Sequence, residues 1–169
     1  MTSPTESRVR VVFVCMGNIC RSPLAEGVFR HLVATSGLVD RFVIESAGTG
    51  AWHVGEPPNL RMQLVADENE VSLEGQTARQ FVFEDFESFD HIFAMDKDNL
   101  QDILSLDRNE AFSHKVRLFR ELDPEPGDFQ VPDPYYGGEK GFHHVYDIVL
   151  RTAVELLERL SEEHGLEKV

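Results

Sequence analysis

Residues 8–14 read Arg-Val-Arg-Val-Val-Phe-Val, a β-branched apolar run that predicts a buried strand. Behind it, Leu24, Val28, Leu32 and Val33 recur on one helical face. The helix they predict has Ser22 as its cap, Pro23 at the first helical position and Gly37 at its end. Residues 41–46 predict a second strand, 59–68 a helix, 91–95 a third strand, 96–105 a helix capped by Asp96, and 115–119 a short fourth strand. Two stretches break the periodicity and read as loops: 48–58, rich in glycine and proline, and 123–138, rich in proline, glycine and acidic residues. A last helix is predicted from about 141 to 164, with Phe142, Val145, Val149, Ala153, Leu156 and Leu160 in one apolar stripe.

Strands that alternate with helices imply parallel βαβ units and an α/β fold. Ligands of such sheets bind beyond the carboxyl ends of the strands, where the strand order reverses, and here the first strand runs into Cys15. No repeat, low-complexity tract or linker divides the chain, so one domain is expected over residues 1–169. Residues 1–7 carry no apolar signal core and are expected to be a disordered lead-in.

Composition narrows the function. A chain that is 41% hydrophobic and 27% charged, with no apolar run long enough to span a bilayer, suits a globular protein. Its two cysteines, Cys15 and Cys20, are too few for a secreted disulfide scaffold. They also lack the nearby His pair of a zinc site, so the cytoplasm is the expected compartment. A formal net charge of −14 argues against nucleic acid or an anionic membrane as partner. It also sets a requirement: a site for a phosphorylated substrate must overcome the repulsive field locally, with backbone N–H groups and a well-placed arginine.

The segment Cys15-Met16-Gly17-Asn18-Ile19-Cys20-Arg21-Ser22-Pro23 meets that requirement. It joins a strand to a helix N-terminus, where free N–H groups and the positive helix end favour anions. Gly17 and Asn18 are residue types that tolerate positive φ, as a loop that turns its N–H groups inward needs. Arg21 adds a planar fork for two phosphate oxygens. The same surroundings favour a thiolate at Cys15, with Ser22 in reach of its sulfur. A Cys followed six positions later by Arg is weak on its own, and a buried structural cysteine in a βα turn remains the alternative. A nucleotide-binding loop is disfavoured, because no Gly-Lys-Ser/Thr follows.

Residues 11–26, VVFVCMGNICRSPLAE, resemble the signature of the low molecular weight protein tyrosine phosphatases. Glu45-Ser46-Ala47-Gly48-Thr49, Ala78-Arg79-Gln80, Met95-Asp96 and the stretch Val131-Pro132-Asp133-Pro134-Tyr135-Tyr136-Gly137-Gly138 extend the likeness over nearly the whole chain, with a bacterial cast. The resemblance implies a three-layer α-β-α fold with a four-stranded parallel sheet and a phosphate-binding loop after the first strand. It implies hydrolysis of phosphotyrosine in a protein substrate, with inorganic phosphate as product and neither metal nor cofactor. Cys15 would be the nucleophile, Arg21 the phosphate clamp and Asp133 the general acid. Asp133 could not be picked from composition among 30 acidic residues, although a phenolic leaving group needs such an acid. Met16, Gly17, Asn18, Ile19, Cys20 and Ser22 would bind the substrate, with Trp52, Tyr135 and Tyr136 on an aromatic rim that favours phenyl phosphates. Ser46 would support the loop. Gln76 stands where many members carry a histidine that does the same. Cys20, by spacing and family likeness, would protect an oxidised Cys15 through a disulfide.

Two other functions share these features. An arsenate reductase could use the same anion loop, but the thiol-relay kind needs cysteines downstream and none follows Cys20. A phosphotyrosine-binding module without catalysis could dispense with Cys15 or Asp133, and both are present. His143 and His144, adjacent on a predicted helix, point in different directions and make a poor metal pair. The oligomeric state is open.

Overall fold

The computed structural model describes residues 8–167, without the side chains of Tyr136 and Glu139. The expected disordered lead-in, 1–7, falls outside the described residues.

Four parallel strands, β1 (Val9–Cys15), β2 (Phe42–Gly48), β3 (His91–Ala94) and β4 (Val116–Leu118), stand in the order β2-β1-β3-β4. The helices are α1 (Arg21–Thr35), α2 (Leu60–Glu68), α3 (Asp85–Ser88), α4 (Lys97–Leu106) and α5 (Gly138–Glu163). Side chains alternate across a strand, and β1 shows what its apolar run encodes. Val9, Val11, Phe13 and Cys15 belong to one core with α1 and α5, whereas Val12 and Val14 face a second core with Phe81, Phe86 and Ile103. A strand apolar on both faces is thus sandwiched between two helical layers, as parallel sheets require.

Phe13 anchors the larger core, edge-on to Phe29 at 5.8 Å and to Phe119 at 5.3 Å. Each fully buried Phe contributes roughly 1.5–3 kcal/mol through removal from water, so the strand that delivers Cys15 is held within the buried core.

The strand order places β1 between β2 and β3. The chain leaves β1 to one side through α1 and later crosses to the other, so the end of β1 is the point where the order reverses. The expected elements are present with three changes. The first helix begins at Arg21, with Cys20 rather than Ser22 at its cap and no side-chain capping bond. The last helix starts at Gly138, three residues earlier than its apolar stripe suggests. The four-residue helix α3 was not expected; so short a turn carries no readable period. Gly37, at φ +72°, closes α1 as foreseen: its N–H bonds Ala34 O and the Leu38 N–H bonds Val33 O, a Schellman ending.

Candidate active site

The loop from Cys15 to Ser22 is shaped by where its carbonyls go. Cys15 O accepts from Thr49 N at 2.8 Å, Met16 O from Gly50 N at 2.9 Å, Ile19 O from Asn59 N at 2.7 Å and Cys20 O from Leu24 N at 3.2 Å. With these oxygens tied outward, the inner side of the loop is left to its N–H groups, the arrangement that cradles an anion. The end of β2 lies close against the loop. A β-carbon on Gly48 would stand 2.8 Å from Met16 O, so glycine is required there by proximity. Asn18, buried at φ 57°, supplies the left-handed turn. Gly17, expected to share that conformation, is not among the positive-φ residues; a β-carbon there would meet the His53 ring at 3.0 Å.

Asn18 organises the loop from within. Its Oδ1 accepts from Arg79 N at 3.0 Å, which fixes the amide orientation, and its Nδ2 donates to Ser22 Oγ and to Ser46 Oγ, both at 2.9 Å. Ser46 in turn donates to Glu26 Oε1 at 2.8 Å, while Glu26 Oε2 accepts from Arg30 Nε at 3.0 Å. Every polar group in this chain is thereby partnered, which a buried network needs if it is not to destabilise the fold. Ser22 is the link to the chemistry: its Oγ lies 2.9 Å from Cys15 Sγ and 3.3 Å from Ala47 O. This explains why Ser22 does not cap the helix. Its hydroxyl is committed inward.

Cys15 Sγ also receives the Asn18 N–H at 3.3 Å. Together with Met16, Gly17, Ile19, Cys20, Arg21, His53, Asp133 and Tyr135 it lines one cavity of ≈ 80 Å³, small beside the several hundred Å³ of a typical cofactor pocket. Arg21 is 5% exposed. Its Nη1 donates to Asp96 Oδ2 at 2.7 Å and to Val131 O at 3.0 Å. Burial acts to lower its pKa, but the facing Cys15 and Asp96 outweigh that and raise it, so the guanidinium stays charged. Asp96 does double duty, since its Oδ1 caps α4 through Asn99 N at 2.7 Å.

Asp133 enters on a loop fixed at both ends. At its start, Asp123 accepts from Arg151 at 2.6 and 2.9 Å and from Arg120 at 3.0 Å. These bonds, with the Glu125 N–H, overcome the burial that would raise its pKa and hold Asp123 below the usual carboxylate range. Nearer the cavity, Val131 N donates to Met95 O at 2.8 Å and Arg120 Nη1 to Gln130 O at 2.7 Å. Asp133 Oδ1 then accepts from Tyr135 N at 3.0 Å, while Pro134 opens a short 3-10 turn, Pro134–Tyr136. The acid is thus carried between an arginine-clamped base and a proline turn.

The other candidates fall into place unevenly. Tyr135 lines the cavity, and its hydroxyl accepts from Asn59 Nδ2 at 2.8 Å. Trp52, 73% exposed, lies across Gly50 and lines an adjoining groove with Thr49, Gln80 and Leu106, sharing Met16 with the cavity. His53 is the neighbour that lines the cavity itself, its Nδ1 paired with Glu56. Gln76 donates from Nε2 to Pro23 O at 3.1 Å. Ser46 instead passes its proton bond to Glu26, so support of the loop runs through a carboxylate that sequence reading had not singled out. The Tyr136 side chain lies outside the described residues. In sequence Asp96 reads as a helix cap and as part of the family likeness, and Glu26 only as the end of the signature; their contacts with Arg21 and Ser46 are not foreseen there.

A family model described as low molecular weight phosphotyrosine protein phosphatase matches residues 10–166. The chain belongs to that family. A low molecular weight phosphatase of Streptomyces coelicolor is 42% identical, over 91% of this chain and 94% of its own. The fission yeast phosphatase (Schizosaccharomyces pombe) is 46% identical, over 82% of this chain and 88% of its own. The crystal structure of YfkJ from Bacillus subtilis aligns with a TM-score of 0.88 at 36% identity, covering 93% of this chain and 97% of the other. The sheet and loop expected from the resemblance are therefore those of the family.

Within this phosphatase the two cysteines differ. Burial pushes the Cys20 thiol up to about 12, against a smaller opposing effect of its hydrogen bond to Tyr135. Alkylation by iodoacetate at pH 7.5 should therefore modify Cys15 and leave Cys20 free, checked by peptide mass mapping; preferential labelling of Cys20 would contradict this. The same shift fixes a sign. Below pH 9 both folded and unfolded chains keep the Cys20 proton; between 9.0 and about 12 only the unfolded chain releases it, so stability falls as pH rises through that window.

Proposed function

We propose that this protein tyrosine phosphatase hydrolyses phosphotyrosine in two steps carried by Cys15, Arg21 and Asp133. The observation that supports it is their convergence on a single small cavity at the end of β1. Cys15 Sγ attacks phosphorus in line: the S–P bond forms as the bond to the tyrosine oxygen breaks, and Asp133 gives that oxygen its proton. Arg21 and the inward N–H groups hold the equatorial oxygens, whose charge they meet without reorganising. In the second step Asp133 takes a proton from water, which attacks phosphorus. The P–S bond breaks, Ser22 Oγ hydrogen bonds the departing sulfur, and inorganic phosphate leaves.

With Tyr135 and His53 lining the cavity and Met16, 49% exposed, beside them, aromatic walls favour a phenyl phosphate over an alkyl one. The family's phosphoprotein substrates fit this geometry. No described helix is long and apolar enough to cross a membrane. We place the reaction in the cytoplasm, where a reducing pool keeps a thiol nucleophile free, and we take the net charge of −14 to keep nucleic acid and anionic membranes away. In metal chelator, a phosphotyrosine peptide should be cleaved with kcat/KM at least about 100-fold above its phosphoserine counterpart. Equal rates, or a requirement for added metal, would reject this reading.

A further inference from the structure

One cluster of side chains lies outside everything the hydrolysis uses. At the end of the sheet opposite Cys15, His91 opens β3, Glu163 is the last residue of α5, and His164 caps it. One ligand atom from each of the three lies within 4.8 Å of the others. His91 Nε2 and His164 Nε2 are 3.0 Å apart, with ring centroids at 5.3 Å and planes at 86°.

Both rings are presented by fixed backbone. His91 is in register with Val11 of β1, and its ring lies parallel to Phe93 at a centroid distance of 6.2 Å. The His164 N–H bonds Leu160 O at 2.9 Å, closing the helix. The approach of residues 73 positions apart is therefore set by the packing of α5 on the sheet.

A hydrogen bond between two neutral imidazoles accounts for the 3.0 Å separation, since one Nε2–H can donate to the other's lone pair. Glu163, exposed like His164, adds a third electron-pair donor within 4.8 Å of the ligand atoms of the two rings, a donor set that suits a cation. Nitrogen ligands at about 2.0–2.1 Å from a tetrahedral zinc lie about 3.3 Å from each other, a few tenths of an ångström from the separation here. Asp90, tied to Arg10 N at 2.9 Å, brings a further negative charge toward His91. The opposing Arg117 is engaged by Glu121 at 3.3 Å.

We propose that His91, Glu163 and His164 form a zinc(II) site, with water in the fourth position, that ties the end of α5 to the start of β3. Because His91 stands at the N-terminal end of its strand, the site acts on stability and on the anchoring of α5, not on the bonds made at Cys15.

The test uses zinc chloride and the full chain carrying Cys15→Ser, so that the catalytic thiol cannot bind the metal. Titration calorimetry should give one equivalent with micromolar affinity or better. A hundredfold excess over Kd should raise Tm by about 5 °C or more. His164→Ala, an exposed helix-end substitution, should weaken binding at least tenfold and cut the Tm rise by about half or more at the same zinc concentration. Glu163→Gln should weaken binding with the metal-free Tm unchanged. Absence of saturable binding at micromolar zinc would leave only a histidine pair and overturn the proposal. So would binding and a Tm rise that persist undiminished in His164→Ala and Glu163→Gln.

Discussion

Cys15→Ser is expected to lose at least about 1,000-fold in kcat on phosphotyrosine while still folding and still binding the substrate. The size follows from what the sulfur is given. Its lone pairs face the Asn18 N–H and the Ser22 hydroxyl, and Arg21 lies across the same cavity. These groups are placed for a large, soft anion. A serine oxygen is shorter and holds its proton at neutral pH, and neither partner of the sulfur, the Asn18 N–H or the Ser22 hydroxyl, is a base like the histidine of a serine hydrolase. Because the loop geometry rests on Asn18, Ser46 and Glu26 and not on the sulfur, the variant keeps its anion site. Phosphotyrosine should then bind with Kd within a few-fold of the wild-type KM, measured by calorimetry. Loss of binding together with turnover would mean that Cys15 holds the loop together, and retention of turnover would remove it as nucleophile.

Asp133→Asn is the second large effect, about 100- to 1,000-fold in kcat on phosphotyrosine. The substitution is nearly isosteric, and an asparagine Oδ1 can keep the bond to Tyr135 N that positions the side chain. What it removes is the proton. The loss in kcat/KM, which reports formation of the phosphocysteine and not its hydrolysis, should therefore depend on the leaving group: large for the phenol of tyrosine, and small for a dinitrophenyl phosphate, whose oxygen departs without protonation. A plot of log kcat/KM against leaving-group pKa should be nearly flat for wild type and steep for Asp133→Asn. An equal loss of kcat/KM on both esters would show that Asp133 supports the loop and does not protonate the leaving group.

The residues differ in how plainly the sequence announced them. The fold was legible because a parallel sheet leaves a strong pattern: β1 is apolar on both faces, and the stripe of α5 repeats over many turns. Cys15, Arg21 and Asn18 were legible because the chemistry of anion binding demands those residue types within one short loop. The supports were not. Glu26 and Arg30 lie at a spacing shared by solvent-exposed helix pairs, and only the approach of α1 to the end of β2 buries Glu26 against Ser46. Asp96 spends one oxygen on a helix cap that is visible in sequence and the other on Arg21, 75 residues away, which is not. Trp52 was expected on the cavity rim by family likeness. Its ring lies against Gly50 and lines the neighbouring groove, and His53 lines the cavity. Ser22 shows the same limit at a helix end: its residue type and its proline neighbour suggest a cap, yet its hydroxyl is engaged by Cys15 Sγ, Asn18 Nδ2 and Ala47 O. Long-range polar pairings of this kind carry no local period, which is why sequence reading passes over them.

The central claim is that phosphate passes through the sulfur of Cys15. The direct measurement is rapid acid quench of wild type during turnover of phosphotyrosine, followed by mass spectrometry of the peptide that spans Cys15 and Cys20. The account predicts a gain of one phosphoryl group on Cys15, more abundant when hydrolysis of the phosphocysteine is slowed by Asp133→Asn with the dinitrophenyl ester, and absent in Cys15→Ser. An unmodified peptide under conditions where turnover is confirmed, or a phosphoryl group on any other residue, would contradict it.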